Sequence, residues 1–159
     1  MDASQRAQIE ELYFDMFDKL KAYARSSLKK DSLAEETVQE TFAIACRRPE
    51  ELLTSENPRG WLIVTLKNVI RGNNRNRIAT QIILAKYILA HKDTLTSPEH
   101  MIDPKLLYEN VADTEEFRLL AELAIEGRSH EELAKERGIS VSACRKRVER
   151  AKKILQKNI

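Results

Sequence analysis

The sequence predicts an all-α chain of two small helical domains joined by a linker, the C-terminal one a helix-turn-helix. Three observations carry this prediction. Apolar residues recur at a helical period of about 3.6 over most of the 159-residue chain. Four Gly and four Pro are too few for the turns of a sheet-rich fold. A composition of 42% hydrophobic and 33% charged residues is enough for a packed core and excludes collagen-like, low-complexity and disordered classes.

From Ile9 to Leu28 the stripe Ile9, Leu12, Tyr13, Met16, Phe17, Leu20, Tyr23, Ala24 and Leu28 has amphipathic helical spacing, and it ends at Lys29-Lys30-Asp31-Ser32. Ser32 or Asp31 can cap a second helix, with Glu35 and Glu36 in its first turn, where carboxylates suit the helix dipole. Its apolar face is Leu33, Ala34, Thr37, Val38, Thr41, Phe42 and Ala45, opposite Glu36, Gln39, Glu40 and Arg47, and it stops before Pro49. Asn57-Pro58-Arg59-Gly60 signals the start of a third helix from about Trp61 to Arg71 or beyond, with Trp61, Leu62, Val64, Thr65, Leu66, Val69 and Ile70 inward. Gly72-Asn73-Asn74 weakens the helix beyond Arg71, because Gly costs about 1 kcal/mol in a helix interior. The apolar stretch Ile82, Ile83, Leu84, Tyr87, Ile88 and Leu89 reads as a further helix, packed on the first bundle or docked on a partner. Turn signals at Thr94-Leu95-Thr96-Ser97-Pro98 and Asp103-Pro104 then place a linker at 93–112, between domains at 1–92 and 113–159.

In the second domain Thr114-Glu115-Glu116 opens a helix with Phe117, Leu119, Leu120, Leu123 and Ala124 inward, and Gly127 ends it. Ser129-His130-Glu131-Glu132 has the form of a capping box and starts a short helix. Gly138 suits a tight turn, Ser140 an N-cap, and Val141 to Leu155 a last helix anchored by Cys144 and Val148. Its outer face carries Ser142, Arg145, Lys146, Glu149, Arg150 and Lys153, with Arg147 and Lys152 at the flanks. Arg and Lys at the start of such a helix suit the major groove, where Arg pairs with guanine and Lys reaches phosphates.

The formal charge of +2 hides a segregation. Residues 1–60 are net −3; residues 61–92 carry Lys67, Arg71, Arg75, Arg77, Lys86 and Lys92 without a carboxylate, net +6. Residues 93–127 are net −7 and residues 128–159 net +6. A single charge run is usually a solvated helix face, whereas two basic blocks, each beside an acidic one, suggest two anion-binding surfaces. No signal peptide and no apolar run long enough for a membrane span is present, so a cytoplasmic protein without membrane insertion is expected. Cys46 and Cys144 stand apart without metal-ligand spacing, which points to reduced thiols, no structural metal and no cofactor. His91, His100 and His130 are scattered, and no phosphate loop or nucleophile elbow occurs, so no catalytic residue and no enzymatic activity are expected.

Four motifs in order carry a resemblance. They are Leu33-Ala-Glu-Glu-Thr-Val-Gln-Glu-Thr-Phe42; Trp61-Leu-Ile-Val-Thr-Leu-Lys-Asn68 with its basic tail; Ser129-His-Glu-Glu-Leu-Ala134; and Gly138-Ile-Ser-Val-Ser-Ala-Cys-Arg-Lys-Arg147. Together the chain resembles bacterial RNA polymerase sigma factors of the extracytoplasmic-function type. The resemblance implies a region 2-like domain that binds core RNA polymerase and the minus-ten element, and a region 4-like domain that reads the minus-thirty-five element of promoter DNA. It implies polymerase contacts from Glu36, Gln39 and Glu40, on a face the core does not need. It implies that Asn68 captures a flipped base, for which an amide that both donates and accepts is suited, while Lys67, Arg71, Arg75 and Arg77 follow the strand phosphates. Trp61 lies on the apolar stripe and reads as core. Upstream recognition falls to Arg145, Lys146, Arg147, Glu149 and Arg150, with Ser142 near the backbone. The acidic stretch 93–127 fits the family's connecting segment, and an anti-sigma factor is a further expected partner. Gly72 departs from the family pattern, which more usually has an acidic or polar residue there. The rival reading is a stand-alone helix-turn-helix regulator with an N-terminal dimerisation or sensor module, which has no need of six bases around Asn68.

Overall fold

The computed structural model describes residues 1–91 and 114–159, and the expected linker at 93–112 lies outside them. Seven helices and no strands occur among the described residues. Their contacts divide the chain into two units, Met1–Asn74 and Arg75–Ile159.

In the first unit, α1 (Ala3–Leu28) begins earlier than its apolar stripe, because Asp2 and Gln5 form a reciprocal capping box. The Gln5 amide donates to Asp2 Oδ1 at 2.7 Å and the Asp2 amide to Gln5 Oε1 at 3.1 Å. The helix ends at Lys29, in the left-handed region at φ 61°, whose N–H donates to the Arg25 carbonyl at 2.9 Å. After one more residue the chain enters α2 (Asp31–Arg47). Asp31 does not cap α2; its carboxylate lies 2.6 Å from Arg25 Nε, across the turn. Lys21 donates to Glu35 at 2.8 Å, and this bond holds the Lys21 ammonium above its ordinary pKa. Arg48 breaks the helix ahead of Pro49, which occupies the first turn of the short α3 (Pro49–Leu53).

Ile9, Met16, Leu20 and Ala24 of α1, Ala34, Val38, Phe42 and Ala45 of α2, Leu52 of α3, and Leu62, Leu66 and Ile70 of α4 (Pro58–Ala90) make one core. Ala24, Ala34 and Ala45 are fully buried small residues, as a close helix approach requires. Thr37 and Thr41 are buried too, and their hydroxyls donate to the carbonyls of Ala34 and Thr37, each at 2.8 Å. At the start of α4 the Asn57 side chain accepts from the Gly60 amide at 3.0 Å.

Two expectations are corrected in α4. The helix does not fade after Arg71 but runs unbroken through Gly72-Asn73-Asn74 to Ala90. The stretch beyond residue 78, expected on the first bundle or on a partner, contributes to the second unit. Leu84 and Tyr87 join Phe117, Leu120, Leu133, Cys144, Val148, Ala151 and Leu155 in the core of the second unit. The domain boundary expected at residue 92 therefore differs from the division of contacts at 74/75. Gln81 fixes the same packing, donating to the Ala124 carbonyl at 2.8 Å, and the Tyr87 ring lies 5.8 Å from that of Phe117.

The rest of the second unit is α5 (Glu115–Ala124), α6 (His130–Arg137) and α7 (Val141–Lys157). Thr114, Ser129 and Ser140 cap their N-termini, accepting from the amides of Phe117, Glu132 and Ala143. Gly127 takes φ 69° two residues past the Ile125 cap of α5, so it shapes the exit rather than the cap itself. Gly138 ends α6 at φ 66°; its N–H donates to Lys135 and that of Ile139 to Ala134, which satisfies the last carbonyls as in a Schellman motif. Cys46 is exposed and Cys144 buried, and neither is in a disulfide.

Because Leu84 is sealed in the second core, Leu84→Ala is expected to destabilise that unit by about 2–4 kcal/mol. Native-state hydrogen exchange checks this: amides of α5–α7 lose protection while those of α1 and α2 keep theirs.

Candidate nucleic-acid interface

The period of α4 sorts its side chains in the first unit. Leu62, Leu66, Val69 and Ile70 are buried, so Lys67, Asn68 and Arg71 turn outward and are exposed. Val64, expected inward, is 56% exposed and belongs to the outer face. Trp61 packs half-buried against the first core, and its carbonyl accepts from the Thr65 hydroxyl at 2.8 Å. Arg75 and Arg77 are exposed on the next turns of α4, just past the division of contacts. Asn68, Arg71 and Arg75 fall at i, i+3 and i+7, which is one face of a helix. No carboxylate occurs between residues 61 and 92 to offset these charges.

Lys67 is held from an unexpected side. Its ammonium lies 5.6 Å from the ring centroid of Tyr23, within cation–π range. Tyr23 has the spacing of the apolar stripe of α1, yet it is 41% exposed, because Met16, Leu20 and Ala24 define the buried face and Tyr23 sits at its edge.

The expected polymerase face of α2 is only partly presented. Gln39 is exposed, but Glu36 is 9% exposed and counts among the buried polar residues. Glu40 is half-buried and accepts from Asn73 Nδ2 of α4 at 3.3 Å. The edge of α2 bearing Glu36 and Glu40 is thus taken up by the chain's own packing, which corrects the reading that all three lie on a face the core does not need.

In the second unit Ser142, Arg145, Lys146, Arg147, Glu149 and Arg150 are all exposed on α7, while Cys144, Val148, Ala151 and Leu155 are buried. Glu149 accepts from Lys152 at 3.2 Å. The acidic residues of α5 and α6 are drawn elsewhere. Arg128 hydrogen-bonds Glu136 and lies 3.7 Å from Glu122 and 3.6 Å from Glu132. Arg137, whose side chain is 15% exposed, donates to Glu122 at 2.9 Å and Glu115 at 3.1 Å. The bond to Glu136 raises the Arg128 pKa, whereas at Arg137 burial opposes a rise that the bonds to Glu122 and Glu115 carry through. Glu115 and Glu122, in the acidic stretch 93–127, lie in the helix expected to open at Thr114-Glu115-Glu116 and join this network. Sequence spacing did not reveal the network, because its members come from three elements.

Residues 12–77 match the family model described as sigma-70 region 2. Most of the first unit is thus similar to a sigma-70 region 2. No curated protein and no solved structure matches the chain. A sigma-70 region 2 at these residues of a 159-residue chain fits a small sigma factor of the extracytoplasmic-function type, and the all-α architecture agrees with a sigma factor fold. Region 2 supports a role in RNA polymerase binding and promoter melting. It contains Glu36, Gln39, Glu40, Lys67, Asn68, Arg71, Arg75 and Arg77. No helix among the described residues is long and apolar enough to cross a membrane.

The helical Gly72 of region 2 has open space where a Cβ would stand. Gly72→Ala is therefore expected to stabilise region 2 by about 0.5–1 kcal/mol, through helix propensity alone. Chemical denaturation followed by circular dichroism checks this, and a loss of stability would show that the position needs glycine.

Proposed function

We propose that the protein is a sigma factor of the extracytoplasmic-function type, which binds core RNA polymerase and directs promoter recognition, melting and transcription initiation, with no catalytic residues of its own. The observation that carries the reading is the match of residues 12–77 to sigma-70 region 2, whose α4 turns Lys67, Asn68 and Arg71 outward in a stretch without carboxylates. In this reading Asn68 holds an extruded base of the minus-ten element, and Lys67, Arg71, Arg75 and Arg77 follow the strand. The α5–α7 module is a region 4-like helix-turn-helix that lays the start of α7 in the major groove at the minus-thirty-five element. Arg145, Lys146, Arg147, Glu149 and Arg150 face the bases and phosphates, and Ser142 lies near the backbone. The exposure of all six side chains supports this assignment. For the polymerase, Gln39 is the contact that needs no rearrangement; Glu36 and Glu40 make theirs from the edge of α2. A factor of this kind works in the cytoplasm, and an anti-sigma factor would be its regulatory partner.

The test is co-purification with core RNA polymerase followed by promoter opening and run-off transcription. A chain that fails to bind the polymerase yet binds duplex DNA would establish the stand-alone regulator instead. Asn68→Ala is expected to leave polymerase binding intact and to impair opening on duplex promoters, with recovery on pre-melted templates; equal activity on both templates would remove Asn68 from base capture. Arg145→Ala is expected to cost about 1–3 kcal/mol in discrimination at the upstream element. Competition between promoter variants checks it, and an unchanged preference would assign Arg145 to phosphates or to the fold.

A further inference from the structure

We infer that Tyr23 of α1 is a stacking platform for an unpaired base, working with Lys67 at the edge of the α4 face. The inference rests on the single-strand reading of region 2 and adds to it a residue from a different helix. Binding of single strands combines cations that follow phosphates with aromatic rings on which bases stack. The outward face of α4 supplies the cations and an amide, but its exposed residues include no aromatic ring. Phe14 and Tyr23 are the exposed aromatic residues among the described residues of the first unit. Phe14 lies nine residues before Tyr23, about half a turn round α1, and so on its opposite side. Tyr13, Phe17, Phe42 and Trp61 are engaged in the first core. Tyr23 alone of these rings carries a cation at its face, Lys67 at 5.6 Å, and Lys67 adjoins Asn68 in the chain.

The geometry has a simple chemical consequence. A base laid on the Tyr23 ring displaces the ammonium toward the phosphate of the same strand, so one cation–π contact is exchanged for a stack and an ion pair. Any base has a π-face, so the platform adds affinity for an open strand without selecting its sequence. Asn68, with its paired donor and acceptor, is left to supply the choice.

The test uses the full chain assembled with core RNA polymerase, with the polymerase alone as reference. The probes are a fluorescent single-stranded DNA of mixed sequence, about 12 nucleotides long, and an abasic strand of the same length. Tyr23→Leu is expected to weaken binding of the base-bearing strand by about five- to a hundred-fold and to leave binding of the abasic strand unchanged. Tyr23→Phe should stay within about two-fold of the wild type, since it keeps the ring. Phe14→Leu, on the other side of α1, should have no effect. Unaltered binding by Tyr23→Leu, or an equal loss on the abasic strand, overturns the inference. If Tyr23→Leu is silent while Asn68→Ala weakens base-bearing strands, the region 2 reading stands and the platform alone falls. If the wild type adds no base-dependent binding over the polymerase alone, both fall.

Discussion

The burial of Leu62, Leu66, Val69 and Ile70 is the constraint from which the region 2 surface follows. With about 3.6 residues per turn, fixing that face against α1 and α2 leaves α4 no freedom to choose where Lys67, Asn68 and Arg71 point. The side chains proposed to hold DNA are therefore oriented by residues that never touch it. Each buried leucine contributes roughly 2 kcal/mol by its removal from water, far more than any exposed cation gains from its neighbours. The interface is thus set by the core, and its own charges are not needed to stabilise it.

The same economy appears in the second unit by different means. Arg128 and Arg137 draw Glu115, Glu122, Glu132 and Glu136 into one network, with Glu122 shared between the two guanidinium groups. Carboxylates close to α7, the helix proposed to meet DNA, would repel phosphates, and a network that satisfies them on α5 and α6 limits that repulsion. The apparent cancellation of charge in the composition is in part a cancellation within this module. It is local and directional, so a net charge near zero is compatible with a basic α7.

Much of this was legible in the sequence, and the failures share one cause. The all-α class, α1, α2, the start of α4, α5 to α7, the caps at Ser129 and Ser140, and the outward face of α7 follow from local signals, whereas the five-residue α3 reads as a loop. Local signals fail where a position is decided by a distant element. Tyr23 fits the α1 period but sits where the buried face gives way to a second surface, beside Lys67. Glu36 and Glu40 look like solvated acids, yet one is buried and the other is bonded to Asn73, more than thirty residues away. The stretch from Ile82 to Leu89 shows a period but not a destination, and only the presence of Phe117 and Gln81's acceptor, the Ala124 carbonyl, assigns Leu84 and Tyr87 to the second core.

The continuation of α4 through Gly72-Asn73-Asn74 shows how such a conflict between local and distant preference is resolved. These three residues disfavour a helix interior, by about 1 kcal/mol for the glycine and less for each asparagine. Against this stand the buried Val69 and Ile70 immediately before them, Thr80, Leu84 and Tyr87 after them, and the hydrogen bond from Asn73 to Glu40. Ile70 is anchored in the first core and Leu84 and Tyr87 in the second, and burying one such side chain contributes roughly 2 kcal/mol. The propensity penalty is the smaller quantity, so the helix continues. Asn73 then has a role that a better helix former would lack: its amide meets the carboxylate of α2, the helix proposed to face the polymerase, while one residue before Gly72 the cation Arg71 faces outward toward the proposed DNA strand.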